Sequence, residues 1–171
     1  GHLLSTAQCL LNPERNGDMS LSAYEDAFKD MLGCSKVTVL QNGHLEGDDT
    51  DGHIDTLVRF TPNEGLVIQA CNNRPNDSHF EGLKALCDEC ALELPEHEQF
   101  HLPLPNIVND EGDRLPASYA NYLICNNAIL LPVYGEEEDA EAIETVKRAH
   151  PNHVVEPIDC SVLIRQYGIL H

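Results

Sequence analysis

Tryptophan is absent from this sequence, and basic residues are scarce, with 10 Lys and Arg against 29 Asp and Glu. The resulting formal net charge of −19 repels nucleic acid and anionic membranes, so we expect neither as a partner. A small cation is the partner that this charge favours. The alternative is that the acidic surface serves only solubility.

Long apolar runs are also missing, since none approaches the roughly 20 residues that cross a bilayer. The first residues have neither the basic nor the apolar region of a signal peptide, so we expect a soluble protein. The seven cysteines are an odd number without the spacing of a disulfide framework. This pattern favours reduced thiols and a cytoplasmic location.

Strand-like and helical runs recur three times in the order strand, strand, helix, strand. The predicted strands are 2–6, 8–11, 37–40, 53–60, 66–70, 99–104, 118–124, 128–133 and 153–158. The predicted helices are 22–32, 78–94 and 138–149. We interpret the 171 residues as a single α/β domain of three ββαβ modules, approximately 1–46, 47–114 and 115–171. The modules must stack, because each alone exposes a hydrophobic face.

The most informative segment is the acidic turn at positions 47–55, which reads Gly-Asp-Asp-Thr-Asp-Gly-His-Ile-Asp. In an extended chain His53 and Asp55 lie on one face, so an imidazole and a carboxylate can address one ligand. Asp48 and Asp49 precede them, and two glycines permit tight turns that gather these groups. The pattern indicates a functional site, although a histidine in a strand is more often a core or surface group.

Metal sites fit this turn poorly. A calcium loop in the matching register would begin at Gly47 and end at Val58, where an aspartate and a glutamate are required. A catalytic zinc ion usually has three protein ligands, for which one histidine and carboxylates are a weak set. We therefore predict no metal.

Cys87 and Cys90 have the spacing of a redox or zinc pair, but the sequence has no second such pair. They share one helical stripe with Leu83, Leu86 and Leu94, so we expect buried core residues. No other cysteine has a base near it in sequence, and none is predicted as a nucleophile.

The third unit opens with Leu-Pro-Ala-Ser-Tyr-Ala-Asn-Tyr at positions 115–122, equivalent in position to His53 in the second unit. Ser118 and Asn121 are candidates to bind substrate at the same centre. Alternatively, they satisfy backbone groups at the edge of a loop.

These stretches resemble the agmatine deiminase and bacterial-type peptidylarginine deiminase family. Further matching segments are Cys-Leu-Leu-Asn-Pro-Glu-Arg-Asn at 9–16, Leu-Pro-Val-Tyr-Gly at 131–135 and Gly-Ile-Leu-His at 168–171. The resemblance runs in order along essentially the whole chain. It implies a partial pentein β/α propeller, with three of the five ββαβ modules that surround an axial active site.

The chemistry that the resemblance implies is cofactor-free hydrolysis of a guanidinium group through a cysteine thiouronium intermediate. His53 would be the general acid and base, Asp55 would clamp the guanidinium nitrogens, and Asp49 would line the pocket. The implied substrate is agmatine, converted to N-carbamoylputrescine and ammonia in putrescine biosynthesis. The alternatives are peptidyl-arginine deimination or a non-catalytic pentein module. Each of these functions is compatible with a homo-oligomer.

The family's nucleophilic cysteine directly follows the Gly-x-x-His that stands here at 168–171. Two further carboxylates of the family would precede Gly1. We therefore expect these residues to be an internal piece of an enzyme and to be inactive alone.

Overall fold

Three small β-sheets follow one another along the chain in the computed structural model, which describes residues 1–167 and 169–171, and only the backbone of Asn16. The first sheet pairs β1 (His2–Thr6) in parallel with β2 (Lys36–Leu40). The second and third sheets are each ordered as an antiparallel pair followed by a parallel one. Their strands are β3 (Val58–Phe60), β4 (Gly65–Gln69), β5 (Glu98–Leu102), β6 (Leu123–Cys125), β7 (Ala128–Val133) and β8 (Val154–Asp159).

Helices connect the parallel strands. They are α1 (Ala7–Leu10), α2 (Pro13–Asn16), α3 (Leu21–Leu32), α4 (Phe80–Glu93) and α5 (Asp139–Ala149). Two short 3-10 helices, Ile54–Thr56 and Leu163–Gln166, lie outside the sheets. In residues 1–167 and 169–171, no helix combines the length and hydrophobicity that a membrane crossing requires.

The helices join the sheets through two apolar clusters. Helix α4 buries Leu83, Leu86, Cys87 and Cys90, which confirms that the two cysteines belong to the core. It packs against β2 of the first sheet, whereas α5 packs against β4 and β5 of the second sheet and β8 of the third. Because each helix contacts the sheet of the preceding unit, the units bury their apolar faces together.

The strand predicted at 8–11 is wrong, since this segment belongs to helix α1. The Thr6 side chain accepts a hydrogen bond from the Cys9 backbone N–H at 3.2 Å and so caps the first turn of a helix. The first unit therefore runs strand, helices, strand, while the second and third units have the predicted ββαβ order.

Two predicted strands are shorter than expected. Of the segment 53–60 only Val58–Phe60 is a strand, because the Thr56 hydroxyl and N–H both donate to the His53 carbonyl and close a 3-10 turn. Of the segment 118–124 only the last two residues lie in β6. The site residues of both segments thus lie in irregular backbone just before a strand, where side-chain direction does not follow a period of two.

Candidate active site

A cavity of about 140 Å³ opens where the second and third units meet the last residues of the chain. It is small beside the roughly 300 Å³ and more of pockets for drug-sized ligands. Its lining is rich in carboxylate and imidazole groups. The lining residues are Asp48, Asp49, Thr50, His53, Asp55, Thr56, Pro116, Asn121, Tyr167, Ile169 and His171.

The acidic turn is shaped by Asp48. One carboxylate oxygen accepts from the Thr50 N–H and hydroxyl, and the other accepts from the Gly52 N–H at 2.8 Å. Gly52 has φ +69°, a conformation that glycine adopts without strain, and its carbonyl accepts from the Thr6 hydroxyl at 2.7 Å. The Asp48 carboxylate thus stabilises the turn through hydrogen bonds within it. The side chains of Asp49 and His53 face the cavity.

Asp55 is held by groups from two distant segments. Its Oδ2 accepts from Asn121 Nδ2 at 2.8 Å and lies 2.8 Å from His171 Nδ1. Because a carboxylate only accepts, the His171 Nδ1 carries the proton in this contact. Asn121 also accepts from the His171 backbone N–H through Oδ1 at 3.1 Å. One buried amide therefore positions both the carboxylate and the chain segment that ends at His171.

The second oxygen of Asp55 is available to a ligand. Its nearest ionisable neighbour is His53, whose Nδ1 is 4.0 Å from Oδ1, too far for a hydrogen bond. Within the described residues no hydrogen bond reaches Oδ1 or the His53 ring. The two side chains are 22% and 34% exposed, so both can be reached from the cavity. Asp55 Oδ1 is therefore an acceptor for a planar cation with several N–H donors that enters the cavity.

Asp49 is exposed at the rim of the cavity. Its carboxylate has no hydrogen bond or ion pair in the part of the chain that the structure describes. A charge so placed attracts a cation without stabilising the fold, which distinguishes Asp49 from the neighbouring Asp48.

Ser118 does not reach the cavity. It is fully buried, and its hydroxyl donates to the Thr56 carbonyl at 2.6 Å. It also lies 3.1 Å from Gln69 Oε1, which in turn accepts from the Tyr119 N–H. The structure thus corrects its predicted substrate contact: Ser118 fastens the loop of the third unit to the second unit.

Arg59 fixes the same loop from another side. Its Nη1 donates to the Tyr122 carbonyl at 2.9 Å and lies 3.5 Å from that of Ala120, the two residues that flank Asn121. The guanidinium also stacks 4.8 Å from the centre of the Tyr122 ring. Asn121 therefore projects from a backbone held on both sides.

The buried thiols are poor nucleophiles in the described structure. Burial raises the pKa of Cys71 and of Cys87 to about 11 and that of Cys90 to about 12, and a thiol rather than a thiolate attacks weakly. Among residues 1–167 and 169–171, no three His, Cys, Asp or Glu side chains are grouped as metal ligands.

The sequence prediction brings the chain end at His171 to the cleft of His53 and Asp55 through the matching segment 168–171, of which Gly168 lies outside the described residues. It gives no role to Tyr167, Thr56 or Pro116, although Pro116 lies in the segment 115–122 that it singles out. Tyr167 and Thr56 have no signal in the sequence, because the packing of distant segments brings them to the cavity.

Comparisons with known proteins agree along the whole chain. Residues 1–171 match the sequence profile of the Porphyromonas-type peptidyl-arginine deiminase family. The agmatine deiminase of Medicago truncatula is 31% identical, over 94% of this chain and 49% of that protein. The chain spans about half the length of the curated relatives it matches.

Two solved structures have the same fold over this chain. A proposed arginine deiminase of Porphyromonas gingivalis superposes with a TM-score of 0.92 and 40% identity, over 99% of this chain and 51% of that one. A cysteine-to-serine variant of C. jejuni agmatine deiminase with substrate bound gives a TM-score of 0.92 and 34% identity, over 100% of this chain and 50% of that one. The three sheets are thus part of a pentein-type α/β fold.

Proposed function

Because the chain belongs to the Porphyromonas-type peptidyl-arginine deiminase family, we propose that it forms part of the active site of a guanidine deiminase. The observation that carries the proposal is the convergence of His53, Asp55, Asn121 and His171 on one acidic cavity. We propose agmatine as the substrate and N-carbamoylputrescine, a precursor of putrescine, as the product.

The free carboxylate of Asp49 favours agmatine over peptidyl-arginine. Agmatine carries a guanidinium at one end and an ammonium at the other, so it offers two cations to one acidic cleft. Asp55 Oδ1 accepts from the guanidinium, and Asp49 at the rim faces the ammonium. Peptidyl-arginine has no ammonium in that place. Peptidyl-arginine is the second candidate substrate because the family that matches this chain is named for peptidyl-arginine deimination.

The proposed reaction has two steps at the guanidinium carbon. The thiolate of a cysteine that follows His171 in the full-length protein attacks this carbon, and His53 protonates the departing nitrogen, which leaves as ammonia. The resulting thiouronium loses its sulfur when water attacks the same carbon and His53 accepts the water's proton. The thiolate and the ureido product are released. The C. jejuni agmatine deiminase with substrate bound is a cysteine-to-serine variant, which supports a cysteine in this role.

The test is turnover by the full-length protein on agmatine and on an arginine-containing peptide, with ammonia and ureido product both measured. We expect a higher kcat/KM with agmatine, and a loss of about 100-fold or more in His53→Ala, the scale of a general acid and base. His101→Ala is the matched control, since His101 lies on strand β5 and outside the cavity. Wild-type turnover in His53→Ala would remove His53 from the mechanism, and preference for the peptide would select the second candidate.

A further inference from the structure

A buried polar network contacts the residues with which the acidic turn begins, and its side chains are not among those that line the cavity. His79 is 6% exposed, and its Nδ1 lies 2.7 Å from Asp77 Oδ1. The other ring nitrogen, Nε2, accepts a hydrogen bond from the Glu46 backbone N–H at 2.8 Å. Since the carboxylate can only accept, the proton is on Nδ1 and the lone pair of Nε2 faces Glu46. This arrangement requires a neutral imidazole.

Arg114 extends the network to the other wall of the cleft. Its Nη1 donates to Asp77 Oδ2 at 3.1 Å, and its Nη2 donates to the Pro105 carbonyl at 2.9 Å. A Cβ atom at Gly47 would stand 2.4 Å from the Arg114 carbonyl oxygen, so the turn rests directly on this backbone. Pro116, two residues later, lines the cavity. The network thus supports both the acidic turn and the segment opposite it.

Asp77 stays charged in this environment. Burial alone would raise its pKa, but hydrogen bonds from the His79 backbone and ring and from the Arg114 guanidinium lower that pKa well below its usual range. The carboxylate therefore remains an acceptor for the His79 ring and for the Arg114 guanidinium.

We infer that His79 is a positioning residue of the site, which holds the turn carrying Asp49 and His53 through its hydrogen bond with the Glu46 amide. The inference rests on the proposed function. A side chain without an acceptor at the place of Nε2 would leave the Glu46 amide without this partner. The Glu46 carboxylate in turn accepts from the hydroxyl of Ser78, the residue before His79, at 2.6 Å.

Two substitutions separate the hydrogen bonds of His79 from the space that its side chain fills. In His79→Gln the amide can donate to Asp77 and accept from Glu46. His79→Leu fills similar space and makes neither bond. In the full-length protein we expect kcat with agmatine to fall at least about 10-fold in His79→Leu with a smaller change in KM, because small displacements of catalytic groups cost up to about 100-fold. His79→Gln should restore most of this rate.

Local hydrogen exchange gives a readout that a general loss of stability would not produce. Exchange of residues 46–53 should accelerate in His79→Leu and stay slow in wild type and in His79→Gln, while exchange of strand β7 (Ala128–Val133) stays as in wild type in all three proteins.

Wild-type kcat and wild-type exchange of residues 46–53 in His79→Leu would overturn the inference. If His79→Leu does not fold, a loss of rate in His79→Gln without any change in the exchange of residues 46–53 would overturn it. If the wild-type protein deiminates neither substrate, the proposed function fails. The exchange experiment still decides whether His79 holds the turn.

Discussion

Asp55 and His171 are 116 positions apart in the chain, yet Asp55 Oδ2 and His171 Nδ1 lie 2.8 Å from each other. Asn121, from a third segment, is hydrogen-bonded to both residues. The cavity is therefore assembled from the start of the second unit, the start of the third and the last residues described. Displacement of any one of the three segments changes the contacts of the other two.

Asn121→Asp should disable the site with little change in shape. The new carboxylate can still accept from the His171 N–H, but it places an oxygen about 2.8 Å from Asp55 Oδ2, where Asn121 now donates. Two carboxylates at this distance repel each other, so the Asp55 carboxylate loses the donor that holds it and is displaced from its position. We expect kcat of the full-length protein with agmatine to fall by about 100-fold or more.

The control for Asn121→Asp is Asn106→Asp, which makes the same chemical change at an exposed position. Wild-type kcat in both variants would mean that the amide of Asn121 plays no part in positioning Asp55.

Asp49→Asn should weaken binding of the substrate ammonium and leave the chemical step intact. We expect KM for agmatine to rise about 10-fold with little change in kcat, the scale of one charge-assisted hydrogen bond. An alkylguanidine without the ammonium should show no such rise. Asp26→Asn, an exposed charge on α3, is the matched control. An equal rise for both substrates would contradict the assignment of Asp49 to the ammonium.

Gly47→Ala should destabilise the fold because of two separate strains. The residue has φ +80°, and the added Cβ would stand 2.4 Å from the Arg114 carbonyl oxygen. Together these cost on the order of 2–4 kcal/mol in the free energy of unfolding. Gly135→Ala isolates the first strain, since Gly135 has φ +79° and nothing within 4 Å of the Cβ position; it should cost about 1 kcal/mol. Urea unfolding measures both, and equal losses would show that the turn moves away from Arg114.

Stability should fall as the pH drops from about 6.5 towards 4. Burial, with smaller effects of His153 and Arg59, lowers the pKa of His150 to about 4, whereas the unfolded chain titrates near its ordinary value of about 6.5. Between these values the unfolded state binds the proton more readily, so the free energy of unfolding decreases on acidification.

Neutral His150 contributes on the order of 2 kcal/mol to the free energy of unfolding. This contribution is complete above about pH 6.5. His150→Gln offers a non-titrating amide to the Tyr122 hydroxyl, which lies 2.9 Å from His150 Nε2 in wild type. Urea unfolding at several pH values should show a shallower slope in the variant. Parallel slopes would exclude His150 as the cause.

Local sequence patterns predict helices α3, α4 and α5 and the ββαβ order of the second and third units, because apolar periodicity and strand-forming runs depend on near neighbours; they miss the short helices α1 and α2. They also predict that His53 and Asp55 lie side by side, but on one face of a strand. The two residues reach the cavity from a 3-10 turn closed by Thr56, not from alternate positions of a strand.

The pair Ser118 and Asn121 shows what local patterns cannot resolve. Both are small polar residues in one irregular segment, and nothing nearby in sequence says which faces the cavity. Gln69, 49 positions before Ser118, makes the contact that turns Ser118 inward. Contacts of this separation follow from the packing of whole sheets.

Asp48 and Asp49 are identical side chains at adjacent positions, but the structure gives them different roles. A substitution at position 48 should affect folding, whereas a substitution at position 49 should affect substrate binding. A saturation library screened for folded protein should retain aspartate at position 48, where three donors converge on the carboxylate, and accept many residues at position 49. Screened for growth on a guanidine nitrogen source, the same library would restrict position 49 according to the molecule supplied. The turn thus keeps a position that can diverge towards a new substrate beside one that maintains its shape.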